Sequence, residues 1–128
     1  MFDYIVVFRI LSFHSMKHII EQVAQVAGYL WQKGWAERNG GNISYNLSAF
    51  ASSLDALPAL TDAIAIGLSV PKLVGGYFLV TGTGRRMRYV ASDPMDNMSI
   101  IRILPDGEHY VIVADKDIRP TSELPTHL

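Results

Sequence analysis

Two apolar segments on either side of Pro105-Asp106-Gly107 constrain the fold more than any other feature of this sequence. They cover residues 99–104 and 110–113. An Asp-Gly pair between short apolar runs is a strong signal for a β-hairpin, because glycine accepts the left-handed backbone that a tight turn needs. The chain is therefore predicted to contain antiparallel β-structure.

Other segments predict further strands. Ile43, Tyr45 and Leu47 alternate with polar residues, which is typical of a half-buried strand, and the continuous apolar run at residues 77–80 predicts an interior strand. Residues 88–91 are a candidate for another strand. Residues 4–11 are either a short strand or part of an unstructured extension, and residues 1–15 as a whole are expected to lie outside the main domain.

Helical periodicity is clearest after Ser15, which is a plausible N-cap. Apolar residues then recur at intervals of three and four up to the Lys33-Gly34 stop. Around Pro58, residues 51–65 fit either two short helices or one helix from about Thr61. Near the end, Thr121 or Ser122 can cap a helix that has Pro125 in its first turn. The expected class is a mixed α/β or α+β fold with more antiparallel than parallel pairing.

Composition excludes several classes of function. The 128 residues suit one domain and include no cysteine, which excludes disulfides and thiolate metal sites. Eleven basic and twelve acidic residues give a net charge of −1, so no nucleic-acid partner is expected, and Arg85-Arg86-Met87-Arg88 is interpreted as a solvated strand or loop end. No apolar run approaches ~20 residues, so no membrane span is expected either.

Three polar loops have a composition that suits a phosphate group. They are Asn39-Gly40-Gly41-Asn42, Thr81-Gly82-Thr83-Gly84 and Thr121-Ser122-Glu123. Glycine lets the backbone approach an anion closely, and small amide and hydroxyl side chains supply neutral donors. Taken singly, each loop is also explained as an ordinary turn, and Glu123 as an acid that favours the start of a helix. The sequence leaves both interpretations open.

The four histidines do not predict a metal site. His14 and His18 have helical i, i+4 spacing but straddle the predicted helix start, so a surface pair is the simpler interpretation. His109 is expected in a turn and His127 at a frayed chain end.

Four motifs, in order, resemble the class II aldolase/adducin family: "GWAERNGGNIS", "FLVTGTGRRMR", the "DP…N…I…I…DG" stretch and "PTSELPTHL". The resemblance covers residues 16–128. It implies a class II aldolase-like three-layer α/β/α fold with a largely antiparallel central sheet, here incomplete. It also implies a cytoplasmic, zinc-dependent lyase that cleaves sugar phosphates and is a homotetramer in the family. The wording "WAERNGGN" and "TSELP" favours members that convert L-rhamnulose 1-phosphate to dihydroxyacetone phosphate and L-lactaldehyde.

The resemblance also implies roles for individual residues. Glu123 is the expected catalytic acid/base. The expected phosphate-binding residues are Asn39, Gly41, Asn42, Thr83, Gly84, Thr121 and Ser122. The zinc ligands of the family lie beyond its "SELP" motif, so they are expected to be absent from this chain, which would then be an inactive, self-associating portion of an aldolase. The alternatives are a non-catalytic, adducin-like phosphate-binding or scaffold module, and a related sugar-phosphate aldolase or pentulose-phosphate epimerase.

Overall fold

A six-stranded sheet forms the centre of the molecule. The computed structural model describes residues 2–4, 13–34, 41–114 and 116–128. The strands are β1 (Phe2–Tyr4), β2 (Ile43–Asn46), β3 (Ile64–Ala65), β4 (Tyr77–Thr81), β5 (Met98–Ile103) and β6 (His109–Ala114). Their order is β1-β2-β4-β5-β6-β3, and every neighbouring pair is antiparallel except β1 with β2. The prediction of a largely antiparallel central sheet is confirmed.

Four α-helices in the described part of the chain accompany the sheet. They are α1 (Phe13–Gln32), α2 (Ala51–Leu54), α3 (Met87–Ser92) and α4 (Leu124–His127). The long amphipathic helix is confirmed, and it ends where glycine predicted: Gly34 has a φ of 71°, and its N–H donates to the carbonyl of Trp31 at 3.0 Å. The proposed Ser15 cap is wrong, because α1 already begins at Phe13.

Both faces of the sheet are covered, which explains why all of β4 is buried. On one face α1 packs its apolar stripe, including Ile19 and Val23, together with α3. Burial of each such side chain contributes roughly 1.5–3 kcal/mol. A smaller apolar cluster on the other face includes Ile66, Val70 and Leu124, so loop residues and the short α4 form that layer.

The predicted hairpin joins β5 and β6. Gly107 has a φ of 68°, and its N–H donates to the carbonyl of Leu104 at 2.9 Å. The Asp106 carboxylate accepts the backbone N–H groups of Glu108 and His109 at 2.9 and 3.1 Å. The turn therefore satisfies its own polar groups.

Two other predictions of secondary structure are wrong. Residues 88–91 belong to α3 rather than to a strand, because Met87 and Val90 are three residues apart and bury their side chains in the α1 cluster. In the segment around Pro58 the prediction is wrong only in part: a short helix before the proline is present as α2, which ends at Leu54, but no helix follows the proline or starts near Thr61. Instead, residues 64–65 pair with β6.

Strand β2 and the N-terminal extension also differ from the predictions. The strand at residues 43–46 is not half-buried, because the polar Ser44 is buried along with Ile43 and Tyr45. Of the proposed extension, β1 is described, whereas residues 5–12 lie outside the described part of the chain. Across the described ranges, no helix combines the length and the apolar character needed to cross a bilayer.

Candidate phosphate-binding site

Three loops from distant parts of the chain meet at one end of the sheet and enclose a cleft of about 380 Å³. The lining residues are Gly41, Asn42, Gly82, Thr83, Gly84, Arg85, Thr121, Ser122 and Glu123. Six of the seven predicted phosphate-binding residues are among them, and so is Glu123. The seventh, Asn39, lies outside the described residues. The three polar loops identified in the sequence therefore meet at one cleft.

Strand pairing explains why these loops meet. β2 begins directly after Asn42 and runs antiparallel to β4, which ends at Thr81, so the two loops lie side by side. The third loop joins them through an antiparallel bridge between Gly82 and Pro120. Two hydrogen bonds hold it there, from Thr121 N to the Thr81 carbonyl at 2.9 Å and from Thr83 N to the Arg119 carbonyl at 2.8 Å.

Thr81 orients the asparagine of the cleft. Its buried side-chain oxygen accepts the N–H of Ile43 at 3.2 Å and donates to Asn42 Oδ1 at 3.4 Å. The amide oxygen of Asn42 is thereby directed to Thr81, and its Nδ2 donates to the Glu123 carboxylate across the cleft. From the sequence, Thr81 is predicted only as part of the threonine–glycine loop, because a threonine at the end of a buried strand carries no distinctive signal.

Glu123 does not serve the helix that follows it. It occupies the N-cap position of α4, but its side chain makes no capping hydrogen bond and instead contacts Asn42. Its backbone N–H donates to Thr121 Oγ1 at 3.3 Å. The expected cap at Thr121 or Ser122 is therefore wrong by one or two residues. The explanation of Glu123 as a helix-favouring acid does not fit this geometry, since the carboxylate is turned toward the cleft.

Glycine is required at Gly82 because its surroundings leave no room for a side chain. A Cβ there would lie 2.7 Å from Ile118 Cγ2, 2.8 Å from Arg85 Cγ and 3.2 Å from the Asn97 carbonyl. In the same loop, Gly84 has a φ of 68°, which L-residues rarely adopt. The close approach of the chain to Gly82 sets the path of the loop that carries Thr83.

Arg85 was missed as a site residue. It was interpreted as part of a solvated strand or loop end, whereas it lines the cleft directly after the threonine–glycine loop. Its position next to that loop was the signal that could have identified it.

The described residues do not form a metal site. No group of three histidine, aspartate, glutamate or cysteine residues within the described ranges could hold an ion. His18 is exposed on α1. The prediction that His127 lies at a frayed end is wrong, because its ring is buried and its Nδ1 lies 2.8 Å from Ser44 Oγ. These residues therefore do not fit the zinc ion that the resemblance implies.

Comparison with known proteins identifies the class. Residues 21–128 match the family model described as Class II Aldolase and Adducin N-terminal domain. The chain belongs to the class II aldolase and adducin family.

Individual relatives agree with this assignment. Rhamnulose-1-phosphate aldolase of Bacteroides thetaiotaomicron is 52% identical over 85% of this chain and 41% of the relative, and that of Listeria welshimeri is 37% identical over 85% and 40%. The crystal structure of a sugar-phosphate aldolase from Thermotoga maritima superposes with a TM-score of 0.65 at 35% identity, covering 88% of this chain and 45% of that one. The chain thus spans about two fifths of the length of these curated relatives.

Proposed function

We propose that this chain provides the phosphate-binding part of a sugar-phosphate aldolase that cleaves L-rhamnulose 1-phosphate to dihydroxyacetone phosphate and L-lactaldehyde. The observation that carries the proposal is the meeting of Asn42, Thr83 and Ser122 in one cleft beside Glu123. The identity to proteins named rhamnulose-1-phosphate aldolase supports this choice of substrate.

The cleft is suited to hold the phosphate end of a sugar. Its donors are the Asn42 amide, the hydroxyl groups of Thr83 and Ser122, and the backbone exposed at glycine. Because the three loops are tied to one another through Thr81 and Pro120, these donors are already arranged before a ligand arrives. A phosphate bound there would fix the reacting carbons and lower the entropic part of the barrier.

Glu123 is the proposed acid/base. Cleavage of the bond requires a proton to leave one hydroxyl group and a proton to be returned to the new fragment, and a positioned carboxylate can carry out both steps. The carboxylate of Glu123 is exposed to the cleft and already accepts a hydrogen bond from Asn42. A ligand held by the neighbouring donors would bring its carbon chain within reach of this group.

The roles that we propose for this chain are phosphate binding and proton transfer. Zinc is implied by the resemblance, but the described residues offer no ligand set for it. We therefore infer that these 128 residues alone do not catalyse cleavage. We also propose that residues 16–128 are the part of the chain that belongs to the aldolase domain, with β1 of the extension pairing with the edge of its sheet, and that the protein acts in the cytoplasm. Self-association remains a prediction, supported by exposed apolar side chains such as Trp31 and Leu60.

Titration with dihydroxyacetone phosphate, followed by NMR, tests the phosphate site. We expect binding by the wild-type chain and a loss of about tenfold or more for Asn42→Ala, since a charge-assisted hydrogen bond contributes roughly 1.5–3 kcal/mol. Ser122→Ala should weaken binding, whereas substitution of Ser53, another exposed serine on α2, by alanine should not. Equal effects of the two serine variants would contradict the proposed site.

The same titration separates the alternatives. Phosphate binding without cleavage, even with added zinc, fits a portion of an aldolase or an adducin-like binding module. Absence of any phosphate affinity would favour a scaffold. Rapid cleavage of L-rhamnulose 1-phosphate by the chain with zinc would show that its metal ligands had been missed, and a preference for another sugar phosphate would indicate a related aldolase or epimerase.

A further inference from the structure

The predicted donors of the cleft do not balance the charge of the proposed ligand. A phosphate monoester carries a charge of about −1.5 to −2 near pH 7. The amide and hydroxyl groups of the cleft are neutral, and Glu123 adds a negative charge of its own. Arg85 is the positively charged side chain among the described residues that line the cleft.

The loop itself fixes where Arg85 begins. The Arg85 N–H donates to the Gly82 carbonyl at 3.3 Å, and Gly82 N donates in turn to the Asn97 carbonyl at 2.8 Å. The stem of the arginine passes directly over Gly82, since its Cγ lies 2.8 Å from the point that a Cβ on that glycine would occupy. Gly82 therefore has a second effect besides shaping the loop, because it lets the arginine stem lie along the wall of the cleft.

A neighbouring carboxylate has a closer partner than Arg85. Asp96 forms its ion pair with Lys116, and hydrogen bonds from Lys116 and then from Asp93 are the main causes that lower the pKa of Asp96. The Arg85 charge acts on Asp96 only as a smaller, longer-range contribution. The exposed guanidinium can therefore turn to a ligand without breaking this ion pair.

We propose that Arg85 is a phosphate-binding residue that makes the cleft prefer a dianionic phosphate ester to a monoanionic ester of the same shape. A planar guanidinium can donate two parallel hydrogen bonds to phosphate oxygens and brings a positive charge. Neutral side chains cannot supply that charge. The inference rests on the proposed function, since it names the ligand charge that the same cleft selects.

The test compares two adjacent arginines in the full chain. Dihydroxyacetone phosphate and dihydroxyacetone sulfate are titrated into the wild type, Arg85→Gln and Arg86→Gln, at low and high salt. Arg86 is exposed just before α3 and does not line the cleft. We expect Arg85→Gln to weaken phosphate-ester binding about tenfold, to reduce its dependence on salt and to lower the preference over the sulfate. Arg86→Gln should stay within about twofold of the wild type.

Two results would overturn the inference, and the second of them would also rule out the phosphate site. If the two glutamine variants bind alike while Asn42→Ala loses binding, Arg85 has no special part and the phosphate site stands. If the wild type binds neither ester, the phosphate site and the role of Arg85 fail together. Retention of the tight, salt-dependent binding in Arg85→Lys would support a role for the charge itself.

Discussion

The cleft loop at residues 81–85 and the hairpin turn at residues 104–108 both place a polar residue before a glycine, but they use it differently. In the hairpin, Asp106 accepts backbone N–H groups from its own turn, and the Gly107 carbonyl accepts the N–H of Val70. In the cleft loop, other segments anchor the backbone, through the carbonyls of Asn97 and Arg119. The side chain of Thr83 is exposed and lines the cleft. The polar groups of the hairpin bond to the turn itself and to residues 66 and 70, which makes it structural, whereas the cleft loop presents the exposed Thr83 side chain to a ligand.

The largest expected effect concerns the glycine of the hairpin. In Gly107→Ala, the new Cβ would lie 3.2 Å from Pro71 Cα on a backbone with a φ of 68°. Backbone strain and overpacking together should lower the free energy of unfolding by roughly 2–4 kcal/mol. Urea denaturation measures the loss. Titration of the folded variant with dihydroxyacetone phosphate should give the wild-type affinity, and a clear loss of affinity would break the distinction between the two turns.

Gly84→Ala should lower the stability less than Gly107→Ala does but weaken phosphate binding more. Gly84 has the same φ of 68°, but a Cβ there meets no atom within 4 Å, so we expect a loss of only about 1–2 kcal/mol from backbone strain. Because Gly84 lines the cleft, relief of that strain should displace the loop and weaken phosphate binding several-fold. Denaturation and titration on the same sample measure both effects. A variant with lower stability and unchanged affinity would mean that this loop, like the hairpin, is only structural.

Parts of the fold could be predicted because local patterns determine them. The spacing of apolar residues is enough for α1, and the Asp-Gly pair is enough for the hairpin. The short α3 was missed because six residues give almost two turns, too few for a helical period to be distinguished from alternation. β3 was missed because its two residues become a strand only by pairing with Tyr110 and His109.

The residues of the candidate site also fall into those that the sequence could predict and those that it could not. The neutral loop residues could be predicted because glycine and small polar residues are visible in the sequence and because the family resemblance assigns them a ligand. The role of Thr81 could not, since it depends on contacts to Asn42 and Ile43 that exist only after folding. Arg85 was overlooked although it directly follows the threonine–glycine loop, because its neighbours in sequence suggested a solvated basic segment. His127 was misjudged for a related reason, because its burial depends on Ser44, a residue 83 positions away.

The smallest expected effect concerns pH and again compares the two turns. The pKa of Asp106 is lowered, first by the hydrogen bond from the Glu108 N–H and then by the His109 side chain. A lowered carboxyl pKa stabilises the folded state above the ordinary value near 4, and this stabilisation is lost as the pH falls through the lowered pKa.

Asp106→Asn keeps an acceptor for the turn but removes this titration. Its free energy of unfolding should therefore fall less steeply than that of the wild type between about pH 5 and pH 2, with thermal or urea unfolding as the measurement. Asp62→Asn, at another exposed aspartate, controls for the change in net charge. Phosphate affinity at neutral pH should be unaltered by Asp106→Asn, since Asp106 does not line the cleft. Parallel acid profiles for the wild type and Asp106→Asn would mean that the carboxylate adds nothing that an amide cannot supply.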